Sequence, residues 1–120
     1  MSVVLIVEDT LTQLEIISGC LRKGGFTVIT AASGEDALTM ITSQKPDLIV
    51  LDVVLPGRSG FEVCRDLKGD EKTKMIPVIL CSTKGSDMDK FWGMKQGADA
   101  YVSKPIDQEH LVKTVKQLIK

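Results

Sequence analysis

Six residues of reactive type stand at the ends of apolar runs: Glu8 and Asp9 after Val3-Val4-Leu5-Ile6-Val7, Asp52 after Leu48-Ile49-Val50-Leu51, Ser82 and Thr83 after Val78-Ile79-Leu80-Cys81, and Lys104 after Ala100-Tyr101-Val102-Ser103. Taken alone, Glu8-Asp9 reads equally as part of a site or as a solvated turn or cap for the first helix, and Lys104 as a surface lysine before a turn. Asp52 is harder to place in a bland role. It lies between Val50-Leu51 and Val53-Val54, and an unpaired carboxylate in partly buried surroundings costs several kcal/mol. If the three acids meet, each close pair repels by about 4 kcal/mol at ~4 Å and an effective dielectric near 20, so a cation is required. A hard divalent ion held by one or two carboxylates, a carbonyl, waters and phosphate oxygens describes Mg²⁺; Ca²⁺ wants more oxygen ligands and a longer loop. With a metal and Lys104 to offset charge and Ser82 to donate to an equatorial oxygen, the set suits a phosphoryl group. The chain has no Gly-rich Walker loop and no G-x-G-x-x-G, hence no nucleotide cradle. The phosphoryl group must then arrive on another carrier and be accepted by a side chain. An aspartate can be that nucleophile, giving an aspartyl phosphate, and Asp52 is the most central candidate.

These residues can meet only if the apolar runs are neighbouring strands. Strand-like runs at Val3 to Val7, Thr27 to Thr30, Leu48 to Leu51, Val78 to Cys81 and Ala100 to Ser103 alternate with helical patterns, the signature of repeated βα units around a parallel sheet. The helices are read over Leu11 to Lys23 with Gly24-Gly25 as stop, from the Ser33 cap through Ala37, Leu38 and Ile41, over Gly60 to Lys68, over Asp87 to Gln96 before Gly97, and from the Asp107 cap to Ile119. The fourth is weakened by Gly85 and Gly93. The expected fold class is α/β, a (βα)5 doubly wound, flavodoxin-like sheet in the order 2-1-3-4-5, because right-handed crossovers leave few alternatives. Ligands in such sheets bind beyond the carboxyl ends of the strands at the switch point, where all six residues fall.

Length and composition narrow the class. One hundred and twenty residues fit one domain, 1–120. With 15 basic and 16 acidic residues the net charge of -1 gives no long-range pull on nucleic acid or an anionic membrane, so no direct DNA binding and no membrane association are expected. No run approaches the ~18 apolar residues of a membrane span, and there is no secretory signal pattern. Cys20, Cys64 and Cys81 are odd in number and lack C-x-x-C spacing, and His110 is the single histidine, which fits reduced thiols of a cytoplasmic protein rather than a zinc site or disulfides. His110 itself reads as an exposed helix residue, and Gly93 to Gly97 as a chance G-x-x-x-G.

Over essentially its whole length the sequence resembles the response-regulator receiver domains of two-component signalling. Glu8-Asp9 resembles the family's acidic pair, Asp52 its phosphoacceptor, Ser82 its Ser/Thr, Lys104-Pro105 its lysine and usually cis proline, and Tyr101 its switch aromatic; Leu51 to Gly57 with Gly60 is similar to the loop after the phosphorylation site. The resemblance implies that Asp9, Asp52 and the Val54 carbonyl bind Mg²⁺, with Glu8 acting through water, and that a histidine kinase is the phosphodonor. It further implies that Ser82 and Tyr101 switch together, remodelling the surface of the fourth helix, fifth strand and fifth helix toward a downstream protein effector, a population shift biased by a local charge event. The domain resembles stand-alone receivers of chemotaxis and twitching or phototactic motility, which catalyse only their own phosphorylation and dephosphorylation. Thr83 departs from the family's usual Ala or Gly and narrows access to Asp52. Val54 cannot orient a water and Lys84 stands at the entrance, so slow self-dephosphorylation is expected.

Phe91, Trp92 and Met94 fit either core packing or, with Tyr101, a partner surface. Two further readings compete with the switch. A magnesium phosphatase of the haloacid-dehalogenase type also forms an aspartyl phosphate, but it wants a second acid where Val54 stands and usually a cap domain. A pure interaction module without phosphorylation would not need Glu8, Asp9, Asp52, Ser82 and Lys104 all intact. The charge argument adds that, without divalent metal, Asp9→Asn or Asp52→Asn should melt higher than wild type.

Overall fold

The computed structural model describes residues 2–119. Strands β1 (Val3–Val7), β2 (Thr27–Ala31), β3 (Leu48–Asp52), β4 (Val78–Ser82) and β5 (Ala100–Ser103) alternate with helices α1 (Leu11–Lys23), α2 (Gly34–Gln44), α3 (Gly60–Gly69), α4 (Asp87–Lys95) and α5 (Gln108–Leu118). All pairings are parallel and the sheet order is β2-β1-β3-β4-β5, as the alternation predicts. Asp52 and Ser82 are the last residues of their strands rather than the first beyond them, because both still lie in the ladder: Asp52 pairs with Cys81 and Ser82 with Ser103.

The strands read as continuous aliphatic runs because helices cover both faces, and alternate residues serve different layers. Leu5, Val7, Ile49, Leu51 and Leu80 pack with Ala37, Ile41, Val63 and Leu67 of α2 and α3. Val4, Ile6, Val50, Ile79 and Val102 pack with Ile17, Leu21, Leu111 and Val115 of α1 and α5.

Local signals set the helix ends. The Ser33 and Ser59 side chains accept from the amides of Asp36 and Glu62. Helix α2 closes on Lys45 in the left-handed region, φ 46°, just before Pro46, which cannot continue it. Helix α4, weak by propensity, starts at a full capping box: Ser86 accepts from the Asp89 amide while the Asp89 carboxylate accepts from the Ser86 amide. Its inner face is Gly93, the single buried residue of the helix. A Cβ there would lie 2.9 Å from both Leu80 and the Tyr101 ring, so the glycine lets α4 sit directly on β4 and β5. Phe91, Trp92 and Met94 point outward, 58%, 52% and 48% exposed. The core-packing reading of these residues is therefore overturned: the close approach at Gly93 leaves them on the opposite side of the helix.

Candidate functional site

The carboxyl ends of β1, β3, β4 and β5 bring the expected residues to one rim. Candidate ligand atoms of Glu8, Asp9 and Asp52 all lie within 4.8 Å of one another. Glu8 and Asp52 are buried and Asp9 is exposed, so the cluster has an inner floor and one solvent-facing acid. Lys104 reaches into it, its Nζ 2.5 Å from Glu8 Oε1 and 3.5 Å from Asp52 Oδ2. Glu8 Oε2 accepts from the Thr10 amide at 3.2 Å. The fixed cation expected opposite the acids is thus ion-paired with Glu8, and part of the mutual repulsion is already relieved within the chain. Burial holds the Asp52 carboxyl up, to about 6, with the Glu8 charge adding to the rise and Lys104 opposing it. For Lys104, burial alone would lower the ammonium's pKa, but the Glu8 hydrogen bond and the Asp52 charge outweigh it and the net shift is upward.

Ser82 is buried, and its Oγ accepts from the Lys84 amide at 3.0 Å. The Lys104 amide donates to the Ser82 carbonyl at 2.9 Å, which ties the ends of β4 and β5 together, and the Lys104-Pro105 peptide is cis. Thr83, Lys84 and Val54 are exposed around the mouth. The Tyr101 hydroxyl donates to the Lys84 carbonyl; burial raises the phenol's pKa, with Ser82 pulling the other way. Cys81, beneath the site, is a thiol pushed up to about 12 by burial, and no disulfide forms among the three cysteines.

Two features lay outside the reading of the sequence. The Glu8–Lys104 pair joins residues at opposite ends of the chain, and no local pattern signals it. Gly60 packs against the backbone that carries the central acid: its amide donates to the Val53 carbonyl at 2.8 Å, and a Cβ there would stand 2.1 Å from the Asp52 carbonyl oxygen. Spacing marks Gly60 as the start of a helix and the resemblance groups it with the loop after Asp52, but neither signals this contact.

Residues 4–116 match the model of the response regulator receiver domain. The chain belongs to that family. It is 40% identical over 119 residues to the protein PilH of Pseudomonas aeruginosa, covering 99% of this chain and 98% of the relative. Among solved structures it resembles the chemotaxis response regulator CheY4 of Vibrio cholerae, with a TM-score of 0.89 at 31% identity over 98% of each chain. The receiver domain of a sensor histidine kinase of Pseudomonas aeruginosa superposes with a TM-score of 0.89 at 25% identity, over 98% of this chain and 97% of that one, and holds a magnesium ion coordinated in its active-site cleft. The receiver assignment and its doubly wound fold agree with the expectation from the sequence. No helix among the described residues is long and apolar enough to cross a membrane.

Proposed function

We propose that this receiver is a phosphorylation-activated switch in which Asp52 accepts a phosphoryl group from a histidine kinase. The observation that carries the reading is the meeting of Glu8, Asp9 and Asp52 within 4.8 Å around the Lys104 ammonium. An Asp52 carboxylate oxygen forms the new P–O bond as the P–N bond to the donor imidazole breaks, and the imidazole leaves with a proton. The donor set of Asp9, Asp52 and the Val54 carbonyl, with Glu8 behind a water, suits Mg²⁺, which when bound offsets charge on the transferring oxygens. Lys104 is 3.5 Å from Asp52 Oδ2 and is positioned to pair with the arriving phosphoryl oxygens. Ser82 offers a hydroxyl from the adjacent strand end. Thr83 and Lys84 flank the entrance and restrict the approach of water, so the acyl phosphate is expected to outlast a few seconds.

Output is assigned to protein contacts of the face made by α4, β5 and α5, including Phe91, Trp92 and Tyr101. The Tyr101 hydroxyl, now held by the Lys84 carbonyl, is the element that would change partner when Ser82 moves toward the phosphate. A cytoplasmic location fits the free thiols. The phosphatase reading is disfavoured because Val54 offers no second acid.

The test is intact mass after incubation with acetyl phosphate and Mg²⁺. One added phosphoryl, absent in Asp52→Asn, is the expected result. Turnover of phosphate esters would favour the phosphatase, and no adduct would favour a module without phosphorylation. Loss of the label within a few seconds would overturn the slow-decay assignment.

A further inference from the structure

The pole of the sheet opposite Asp52 carries a groove that the phosphorylation chemistry does not use. It lies between the C-terminus of α2 and the connector from α3 to β4, where Pro46 and Ile76 lead the chain toward β3 and β4. Its volume is about 520 Å³, inside the range of about 300–1,000 Å³ for small-molecule sites. Ile41, Pro46 and Ile76 supply an apolar lining, and the exposed Lys45 and Lys72 border it. Both walls are fixed. On the α3 side the Lys68 ammonium donates to the carbonyls of Lys74 and Ile76, at 3.3 and 2.9 Å, and to Asp99 Oδ2 at 2.8 Å. The Thr73 hydroxyl donates to the Leu67 carbonyl at 2.6 Å, and the Ile76 amide to the Thr73 carbonyl at 3.0 Å. On the α2 side Lys45 makes the left-handed turn, its amide donating to the Ile41 carbonyl at 3.1 Å. The Asp47 amide donates to the Val3 carbonyl at 2.8 Å, while the Asp47 carboxylate accepts from the Val3 amide at 2.7 Å. A site already held in shape loses little ordering free energy when it fills, so this is a preformed cavity rather than a gap between loose connectors.

The charges at the groove define its occupant. No carboxylate is among the described residues that line it, and neither Lys45 nor Lys72 is in an ion pair among the described residues. The acids nearest in the chain have other partners: Asp47 holds the Val3 amide, Asp70 the Lys72 amide, and Glu71 the Lys74 ammonium. A neutral apolar molecule would leave both lysines unanswered, and a polar polyanion would leave the aliphatic lining bare. We propose that this groove binds a small amphipathic anion, an aliphatic carboxylate whose chain lies on Ile41, Pro46 and Ile76 and whose head group meets Lys45 and Lys72. From Pro46 to Asp52 the extended chain covers about 20 Å at ~3.3 Å per residue, so the site is separate from the acidic rim and the inference does not rest on phosphorylation.

The experiment is an amide-resolved NMR titration of the full chain with butanoate, hexanoate and octanoate at constant ionic strength. The amides of Ile41, Lys72, Thr73 and Ile76 should shift together and saturate, with affinity rising about fourfold for each methylene buried. 1-Octanol keeps the chain but lacks the charge, and should bind about fivefold more weakly than octanoate. Lys72→Gln and Lys45→Asn, the second a residue type that accepts a left-handed turn, should each weaken octanoate about threefold and leave octanol unchanged. Thr42→Trp, at an exposed position lining the groove, should block both ligands, and thermal melts confirm that each variant is folded. Asp52→Asn should bind octanoate as the wild type does. The absence of saturable shifts at these amides up to about 10 mM octanoate overturns the proposal. So does octanol binding as tightly as octanoate, a chain-length series of equal affinities, or lysine variants that bind like the wild type.

Discussion

Neutralising Asp52 in the absence of divalent metal should stabilise the protein, and the structure fixes both the size and the pH range of the gain. The carboxyl is buried beside Glu8, and its pKa rises from 3.8 to about 6. A raised acid is bound to its proton more tightly in the folded than in the unfolded chain, so its contribution to stability is complete below about 4 and is lost as pH climbs through about 6. At about 1.4 kcal/mol per tenfold in proton affinity, ionising Asp52 in the fold costs at most about 3 kcal/mol by pH 8. The opposing charge of Lys104, 3.5 Å from Asp52 Oδ2, is already contained in that rise, and the cost of burying the asparagine amide in its place makes about 2 kcal/mol the working figure. Asp52→Asn in chelator should accordingly melt roughly 6–10 °C above wild type at pH 8, with the difference shrinking toward pH 5. Differential scanning calorimetry of both proteins over that range is the assay. Equal melting points at pH 8, or a difference that grows on acidification, would mean that the buried acids are not strained against each other. Asp9→Asn should gain less, since Asp9 faces solvent.

Three further perturbations probe the same rim. Calorimetric titration should show Mg²⁺ affinity falling as pH drops below about 6, because protons and metal compete for Asp52. An affinity flat down to pH 5 would contradict this. Lys104→Met leaves the buried Glu8 facing Asp52 without its cation and should destabilise the fold by about 3 kcal/mol at neutral pH, a loss that millimolar Mg²⁺ partly restores in urea unfolding. Gly60→Ala drives a methyl into the Asp52 carbonyl, costing about 2 kcal/mol or more and lowering the rate of labelling by acetyl phosphate even at temperatures where the variant is folded.

What could be read from the sequence had a local signature. Strands flanked by helices on both faces must be aliphatic throughout, so Asp52 at the end of Leu48 to Leu51 was conspicuous, and the order of the sheet followed from the handedness of crossovers. Ser33 and Asp107 announced helix starts through cap chemistry, and Asp36 and His110 amides do donate to them. The misreadings have a common cause in contacts between distant segments. The side of α4 that faces the sheet is decided by how closely a backbone can approach Tyr101, and apolar spacing alone could not choose between Gly93 and Phe91 as the inner residue. The charge balance of the site was likewise incomplete without the 96-residue link from Lys104 to Glu8.

The sheet also acts as a partition wall through the interior. On one side lie the layer of α2, α3 and α4 and the ring of Tyr101; on the other, α1 and α5 close a layer that contains neither. Because consecutive strand residues face opposite compartments, a repacking change such as Ile17→Val acts first on the far room, across the sheet from the tyrosine. Sequence drift on α1 is thereby kept apart from the tyrosine, whereas drift on α5, part of the proposed output face, reaches the surface that would carry the message.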